Sequence, residues 1–280
     1  MNGEVNGVTL TITPELRMAL STVAARVTFQ PDEAVGQQAL APHVLLRVGE
    51  VPLDFHSSLG VAYEGQLDEE QYQDTLGYAD DMFDNMDDKQ GLEREEFYSM
   101  HYYTAEWFPK QSSVYSCLNR DLSDRDRTKA QKWRFFLHHF FGGMRKVPLW
   151  KGSQDLYRGV SVDLSKNPRY KEGKTITWSA CTSATTKQDV VKGFLPAGEE
   201  RTIVTMNGVF SGRSVKAFSA TGGEEEVLLP PGTRFRVIAI WHINEVTMLQ
   251  LQQIPTLEKR LALEPVCFCS MSPVGETQPV

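Results

Sequence analysis

The chain has 280 residues, with 29 basic against 36 acidic side chains, a formal charge of −7, 41% hydrophobic and 23% charged residues. This composition fits a folded globular chain rather than a collagenous or disordered one. It lacks the basic footprint that a phosphate backbone demands, so no nucleic-acid partner is expected. No basic leader runs into an apolar stretch and no apolar run is long enough to cross a bilayer. Neither a signal peptide nor a membrane span is therefore expected, and the location is expected to be cytoplasmic or non-classically exported.

The length exceeds that of a common single domain and allows one main domain with a substantial extra segment. Residues 1–65 mix short apolar runs with Pro14, Pro31, Pro42 and Pro52, which predicts short strands and turns. Their role is unassigned, with target binding as one candidate. From Leu67 the texture changes. Residues 67–83, 93–108, 114–122 and 130–147 repeat apolar side chains at spacings of three and four, which predicts helices with one buried face. Beyond Trp150, residues 155–162, 174–184, 201–209, 224–243 and 245–254 predict strands, with alternation clearest over 233–237. Helices first and strands later make the class α+β. The main domain is expected over 66–255, followed by a tail over 256–280.

Several features invite a chemical reading and do not support it. The acidic stretch from Asp80 to Gly91 fails as a calcium loop, because aligning Gly91 with the invariant glycine puts Met86 and Phe97 at the first and last ligand positions. His138 and His139 are adjacent on a predicted helix and point about 100° apart, so they form no chelate and read as core or partly buried residues. The four cysteines, Cys117, Cys181, Cys267 and Cys269, are too few for a disulfide framework. Cys267 and Cys269 have no nearby histidine to complete a zinc set, so no metal is expected.

Three segments in the second half carry more. Leu156-Tyr157-Arg158-Gly159-Val160 sets an arginine on an apolar run beside a glycine that would let a ligand approach the backbone. Taken alone, Arg158 reads as an exposed salt-bridging side chain. Residues 178–185 are rich in small hydroxylated side chains after the strand-like 174–177. Glu224-Glu225-Glu226 runs directly into Val227-Leu228-Leu229 and a Pro-Pro-Gly turn. In an extended chain Glu224 and Glu226 point to one side and Glu225 to the other.

Together these segments resemble the Arg-Ser-Glu class of mono-ADP-ribosyltransferases, the class of bacterial toxins and vertebrate arginine-specific enzymes. Twenty-five residues separate Arg158 from Ser183 and forty-three separate Ser183 from Glu226, in the family's order. HYYTAEWF, VYSCLNRDL and MRKVPLWKG look like its helical lead-in, and residues 212–219 with GGEEEVLLPPGTRFRV look like its acceptor-recognition loop and final strands. The resemblance implies a helical lobe followed by a two-sheet mixed β core that binds NAD⁺ as co-substrate. It also implies release of nicotinamide and transfer of ADP-ribose to a protein acceptor.

Nicotinamide loss leaves an oxocarbenium-like ribose, so such a site must hold an anionic diphosphate and place negative charge near a developing cation. Arg158 matches the family's phosphate-positioning arginine, and Ser183 the serine that orients the catalytic carboxylate. Glu226 matches the catalytic glutamate, and Glu224 the first acid of the Glu-x-Glu pair that accompanies transfer to arginine. The implied NAD⁺-binding set is Arg158, Gly159, Ser183, Thr185, Phe194 and Glu226. Two departures stand out: the family's Ser-Thr-Ser reads Ser183-Ala184-Thr185, and Cys181 stands where an aromatic is common. The alternatives are transfer to a serine or threonine hydroxyl, NAD⁺ glycohydrolysis, and a catalytically silent binding module.

Overall fold

A computed structural model describes residues 4, 5, 8, 9, 46, 50–124, 126, 128–187, 200–220 and 225–255. Two short strands, β1 (Glu4–Val5) and β2 (Val8–Thr9), pair antiparallel. Helices then follow in sequence: α1 (Phe55–Ala62), α2 (Glu69–Asp84), α3 (Arg94–Thr104), α4 (Val114–Ser123), α5 (Thr128–Gln131) and α6 (Arg134–Lys146). Helix α1 appears where the prolines predict strands and turns. Its cause is local: the Asp54 carboxylate accepts from Ser57 N at 2.9 Å, capping a segment whose Phe55, Ser58, Leu59 and Ala62 share one buried face.

Helix α2 starts the same way, with Asp68 accepting from Gln71 N at 3.1 Å and Glu69 and Glu70 in its first turn, where the helix dipole favours acids. It runs to Asp84, and Asp80 and Asp84 both pair with Arg94, so the first part of the acidic stretch is the end of this helix. The segment predicted as one helix over 130–147 breaks at Lys132 and Trp133. Trp133 is fully buried there, and its indole N–H donates to the Asp121 carboxylate at 2.9 Å.

Helix α3 is the centre of this lobe, with every residue from Phe97 to Thr104 buried. It packs closely on α6 because Gly143 has no side chain: a Cβ there would lie 3.1 Å from the Glu96 carbonyl oxygen. The contact is closed by Lys146 Nζ to Glu96 Oε2 at 2.6 Å. His139 is buried and bonds the Leu53 carbonyl at 2.7 Å, whereas His138 is exposed, so the histidine pair divides between core and surface.

The strands are β3 (Leu156–Val160), β4 (Thr175–Trp178), β5 (Thr182–Thr185), β6 (Arg201–Asn207), β7 (Arg213–Ser214), β8 (Glu226–Leu229), β9 (Thr233–Ile243) and β10 (Val246–Gln253). They form one mixed ladder in the order β4-β9-β10-β6-β3-β5-β8-β7. Only β10 with β6 is parallel; the other pairs are antiparallel. The two expected sheets are thus joined, and the joint is narrow: β3 meets β5 through the single register pair Tyr157↔Thr185. Residues 174–184 make two strands rather than one. β4 sits at one edge of the ladder and β5 five places away, so Ser179–Cys181 carries the chain across.

Buried side chains fall mainly into two cores. One is the aromatic helical lobe, which also takes in Cys181, Val215, Phe218 and Leu228 from the strand region. The other lies on the sheet and contains Leu156, Val160, Trp178, Val227, Phe235 and Leu249 among others.

Candidate active site

On β3, Leu156, Arg158 and Val160 are buried and Tyr157 and Gly159 half-buried, the alternation of a strand with one face on a core. Arg158 is therefore not the exposed side chain that its local sequence suggests: it is 8% exposed, and its Nη1 donates to the Ser183 carbonyl at 2.9 Å. Burial pulls the guanidinium down to about 10, opposed by Tyr103, Tyr170 and Glu226 nearby. It stays charged at neutral pH. Beside it lies a cavity of about 10 Å³ lined by residues including Val160, Leu164, Tyr170 and Trp178, room for about one water. A dinucleotide has no space there.

Strands β5 and β8 pair antiparallel with Ser183 opposite Leu228 and Thr185 opposite Glu226. Directly opposed residues share a face, so Ser183, Thr185 and Glu226 lie together, while Ala184 and Val227 turn to the sheet core. Glu226 is 1% exposed, and Ser183 and Thr185 are buried with it. The Thr185 hydroxyl accepts from Lys187 N at 3.2 Å. β8 ends after four residues because Pro230 and Pro231 lead into Gly232, whose φ of +82° favours glycine. Gly232 N donates to the Trp178 carbonyl at 2.7 Å, pinning that turn to β4. One residue before β8, Glu225 is exposed and its carboxylate accepts from the Thr186 hydroxyl at 2.7 Å.

The helical lobe contributes support that the sequence motifs do not announce. The Asn119 side chain accepts from Cys181 N at 3.1 Å and donates to the Tyr103 hydroxyl at 2.9 Å. That hydroxyl in turn donates to the Cys181 carbonyl at 3.3 Å. Both backbone groups of the residue preceding β5 are thus held by side chains of α3 and α4. Burial raises the Tyr103 hydroxyl well above its ordinary range, which keeps it a donor, and burial likewise raises the Cys181 thiol. Tyr103 and Asn119 lie within HYYTAEWF and VYSCLNRDL; the available signal was a polar group on a helix face otherwise turned to the core.

Of the sequence-predicted residues, Arg158, Gly159, Ser183, Thr185 and Glu226 fall on three adjoining strands, β3, β5 and β8. Glu224 and Phe194 lie outside the described residues, as do Cys267 and Cys269. A guanidinium that donates, two hydroxyls that can donate or accept and a carboxylate that accepts are all withdrawn from solvent here, chemistry suited to a diphosphate and a ribose hydroxyl. A family model described as NAD:arginine ADP-ribosyltransferase matches residues 63–257. The chain belongs to this family.

As an NAD:arginine ADP-ribosyltransferase family member, it is an NAD⁺-dependent mono-ADP-ribosyltransferase with NAD⁺ as co-substrate. Solved structures with a similar fold include a variant of the eukaryotic mono-ADP-ribosyltransferase ART2.2 in complex with NAD. It is 12% identical with a TM-score of 0.53, over 73% of this chain and 86% of that one. The type III effector XopAI from Xanthomonas axonopodis pv. citri is 16% identical with a TM-score of 0.50, over 87% and 89%. The Vis toxin from Vibrio splendidus is 20% identical with a TM-score of 0.47, over 68% and 87%. No curated protein sequence matches this chain. Among the described residues no helix is long and apolar enough to cross a membrane, and no cluster of His, Cys, Asp and Glu could hold a metal ion.

Proposed function

We propose that this chain transfers ADP-ribose from NAD⁺ to an arginine side chain of a protein acceptor, with Arg158, Ser183, Glu226 and Glu224 as its working residues. The observation that carries the reading is the register of β5 with β8, which brings the Ser183 and Thr185 side chains to the face of the buried Glu226, with Arg158 bonded to the same strand. NAD⁺ supplies the ADP-ribosyl group and nicotinamide as the leaving group. Arg158 offers a planar fork of N–H donors to the diphosphate. Glu226, withdrawn from water, holds the ribose hydroxyl and places negative charge where positive charge develops, an effect strongest away from solvent. Glu224 accepts the proton of the acceptor guanidinium as its nitrogen bonds to the ribose carbon.

Residues 1–65 remain a candidate target-binding segment, and the catalytic unit is taken as 66–255. The test follows labelled NAD⁺ with agmatine, a small guanidine acceptor, and measures free nicotinamide beside the agmatine adduct. Glu226→Gln is expected to lower both by at least about a hundredfold. Glu224→Gln is expected to lower the adduct while nicotinamide release persists. Adduct formation that survives Glu226→Gln would overturn the mechanism, and nicotinamide release without any adduct would favour hydrolysis.

A further inference from the structure

Strand β9 outruns its neighbour at the edge of the ladder. It has eleven residues, whereas β4 has four and pairs only with residues 233–236. Just beyond, Val237 N donates to the Lys174 carbonyl and the Val237 carbonyl accepts from Gly173 N, both at 2.9 Å. The chain reaches the edge only at Gly173, which turns with a φ of +78°. Among the described residues, 238–243 therefore have no strand on that side. Ile238 is bulged out of the register of β9 with β10, and from there the alternation turns the backbone N–H and C=O of Ile240 and His242 toward the open side. Ile240 N already donates there, to the Glu172 carboxylate at 3.3 Å. The side chains along this edge are apolar: Ile238, Trp241 and Ile243 are 39%, 40% and 53% exposed. Trp241 and Ile243 share the face of Met248 and Val246, which pack with Ile203. Residues 238–243 contain no Lys, Asp, Glu or Pro, the residues that keep free edges from pairing.

We infer that this edge pairs with the same edge of a second copy of the chain, antiparallel about a twofold axis at Trp241. The outward-facing groups set the register: Ile240 lies opposite the partner's His242 and His242 opposite the partner's Ile240, so that each N–H meets a carbonyl. Trp241 then faces the partner's Trp241 in a non-hydrogen-bonded pair, where side chains come closest, and Ala239 faces the partner's Ile243. Charge agrees with this arrangement. The hairpin tip at Glu245 of each copy comes against the turn of Lys171 and Lys174 in the other, and all three are exposed with no ion pair among the described residues. An edge that is apolar at its centre and oppositely charged at its two ends is its own complement when run antiparallel. The Glu172 carboxylate stands in the way and must release Ile240 N, so it guards the edge. A single strand falls well short of the about 20–30 residues a side of a stable interface, which makes the dimer weak, with a dissociation constant on the order of 100 µM. Because β9 carries none of the residues assigned to the reaction, the pairing stands independently of the arginine-transfer reading.

The experiment follows the full chain by sedimentation equilibrium from about 1 µM to about 1 mM, a range that brackets so weak an interface. Wild type moves from the mass of one chain toward that of two. Glu172→Ala, which frees Ile240 N, tightens the dimer by about tenfold. Trp241→Lys sets like charges directly opposite each other and weakens it by more than about tenfold. His242→Pro removes an outward N–H that β10 does not use, so pairing is lost while β9 stays on β10. His242→Ala, which loses only the imidazole contact to the Ser165 hydroxyl, keeps the dimer. The register is read by oxidation: Trp241→Cys forms a disulfide between the two copies at position 241, mapped by peptide mass, and Ile238→Cys does not form one at 238. Wild type and Glu172→Ala both monomeric throughout, or a dimer indifferent to Trp241→Lys and His242→Pro, overturns the inference. So does a His242 amide protected from exchange in dilute protein, which would mean that another part of the same chain already covers the edge.

Discussion

At the scale of single residues, the placing of Asn119 has the sharpest consequence. One amide side chain meets the Cys181 N–H and the Tyr103 hydroxyl, and so fixes the chain just before Ser183. Asn119→Ala leaves a buried donor unpaired, at a cost of about 1–3 kcal/mol for such a group, and lets β5 shift relative to Glu226. Displacements of an ångström cost on the order of a hundredfold in rate. Nicotinamide release by a folded Asn119→Ala protein should therefore drop at least about tenfold, measured in single turnover beside its melting temperature; wild-type turnover would show that β5 needs no such support. The resemblance singled out Arg158, Ser183 and Glu226, while strand texture placed them in extended segments, which are β3, β5 and β8. The burial of Arg158 was not legible, since the carbonyl it meets lies twenty-five residues on. Nor were Tyr103 and Asn119, whose partner Cys181 is 78 and 62 residues away.

At the scale of elements, apolar spacing located α2, α3, α4 and α6 and ran α5 into α6 as one segment, and capping chemistry explains where α2 and α3 start. It missed α1, where prolines outweighed an Asp cap and a buried face already present in the sequence. It also merged β4 with β5, because strand texture says nothing about which neighbour a strand will take. The packing of α3 on α6 depends on a single missing side chain. Gly143→Val pushes methyl groups into the Glu96 carbonyl, whose oxygen already lies 3.1 Å from where a Cβ would sit, and overpacking of this kind costs about 1–3 kcal/mol. The melting temperature should fall by several degrees, at about 2–4 °C per kcal/mol for a large domain. Because α3 also carries Tyr103, the same variant should lose activity below its melting transition, which an assay at two temperatures would reveal.

At the scale of the whole molecule, three hydrogen-bonded carboxylates titrate low: Asp54 and Asp68 cap α1 and α2, and Asp163 also accepts from Thr247 on β10. Asp54 is lowered first by the Ser57 backbone N–H and then by its hydroxyl, and Asp68 by the Gln71 side chain and backbone. At Asp163 burial acts upward, but bonds from Ser165 and Thr247 outweigh it, and the group is also lowered. A carboxyl lowered on folding binds fewer protons in the folded chain than in the unfolded one. Its stabilisation is complete above the unfolded value of 3.8 and is lost as pH falls through the lowered range. Melting temperatures should thus show no loss from these groups between pH 7 and about 5 and a decline below about 4, checked by thermal denaturation in a pH series. The seam between β3 and β5 matters at this scale too. Where one register pair joins the two halves of the ladder, the Arg158–Ser183 hydrogen bond is a second stitch. A guanidinium has five N–H donors, and one is committed to holding the halves in register. The side chain proposed to grip the diphosphate is therefore also a rivet in the frame, and a lysine, with its compact ammonium in place of a planar fork, would fill the charge without reproducing the rivet.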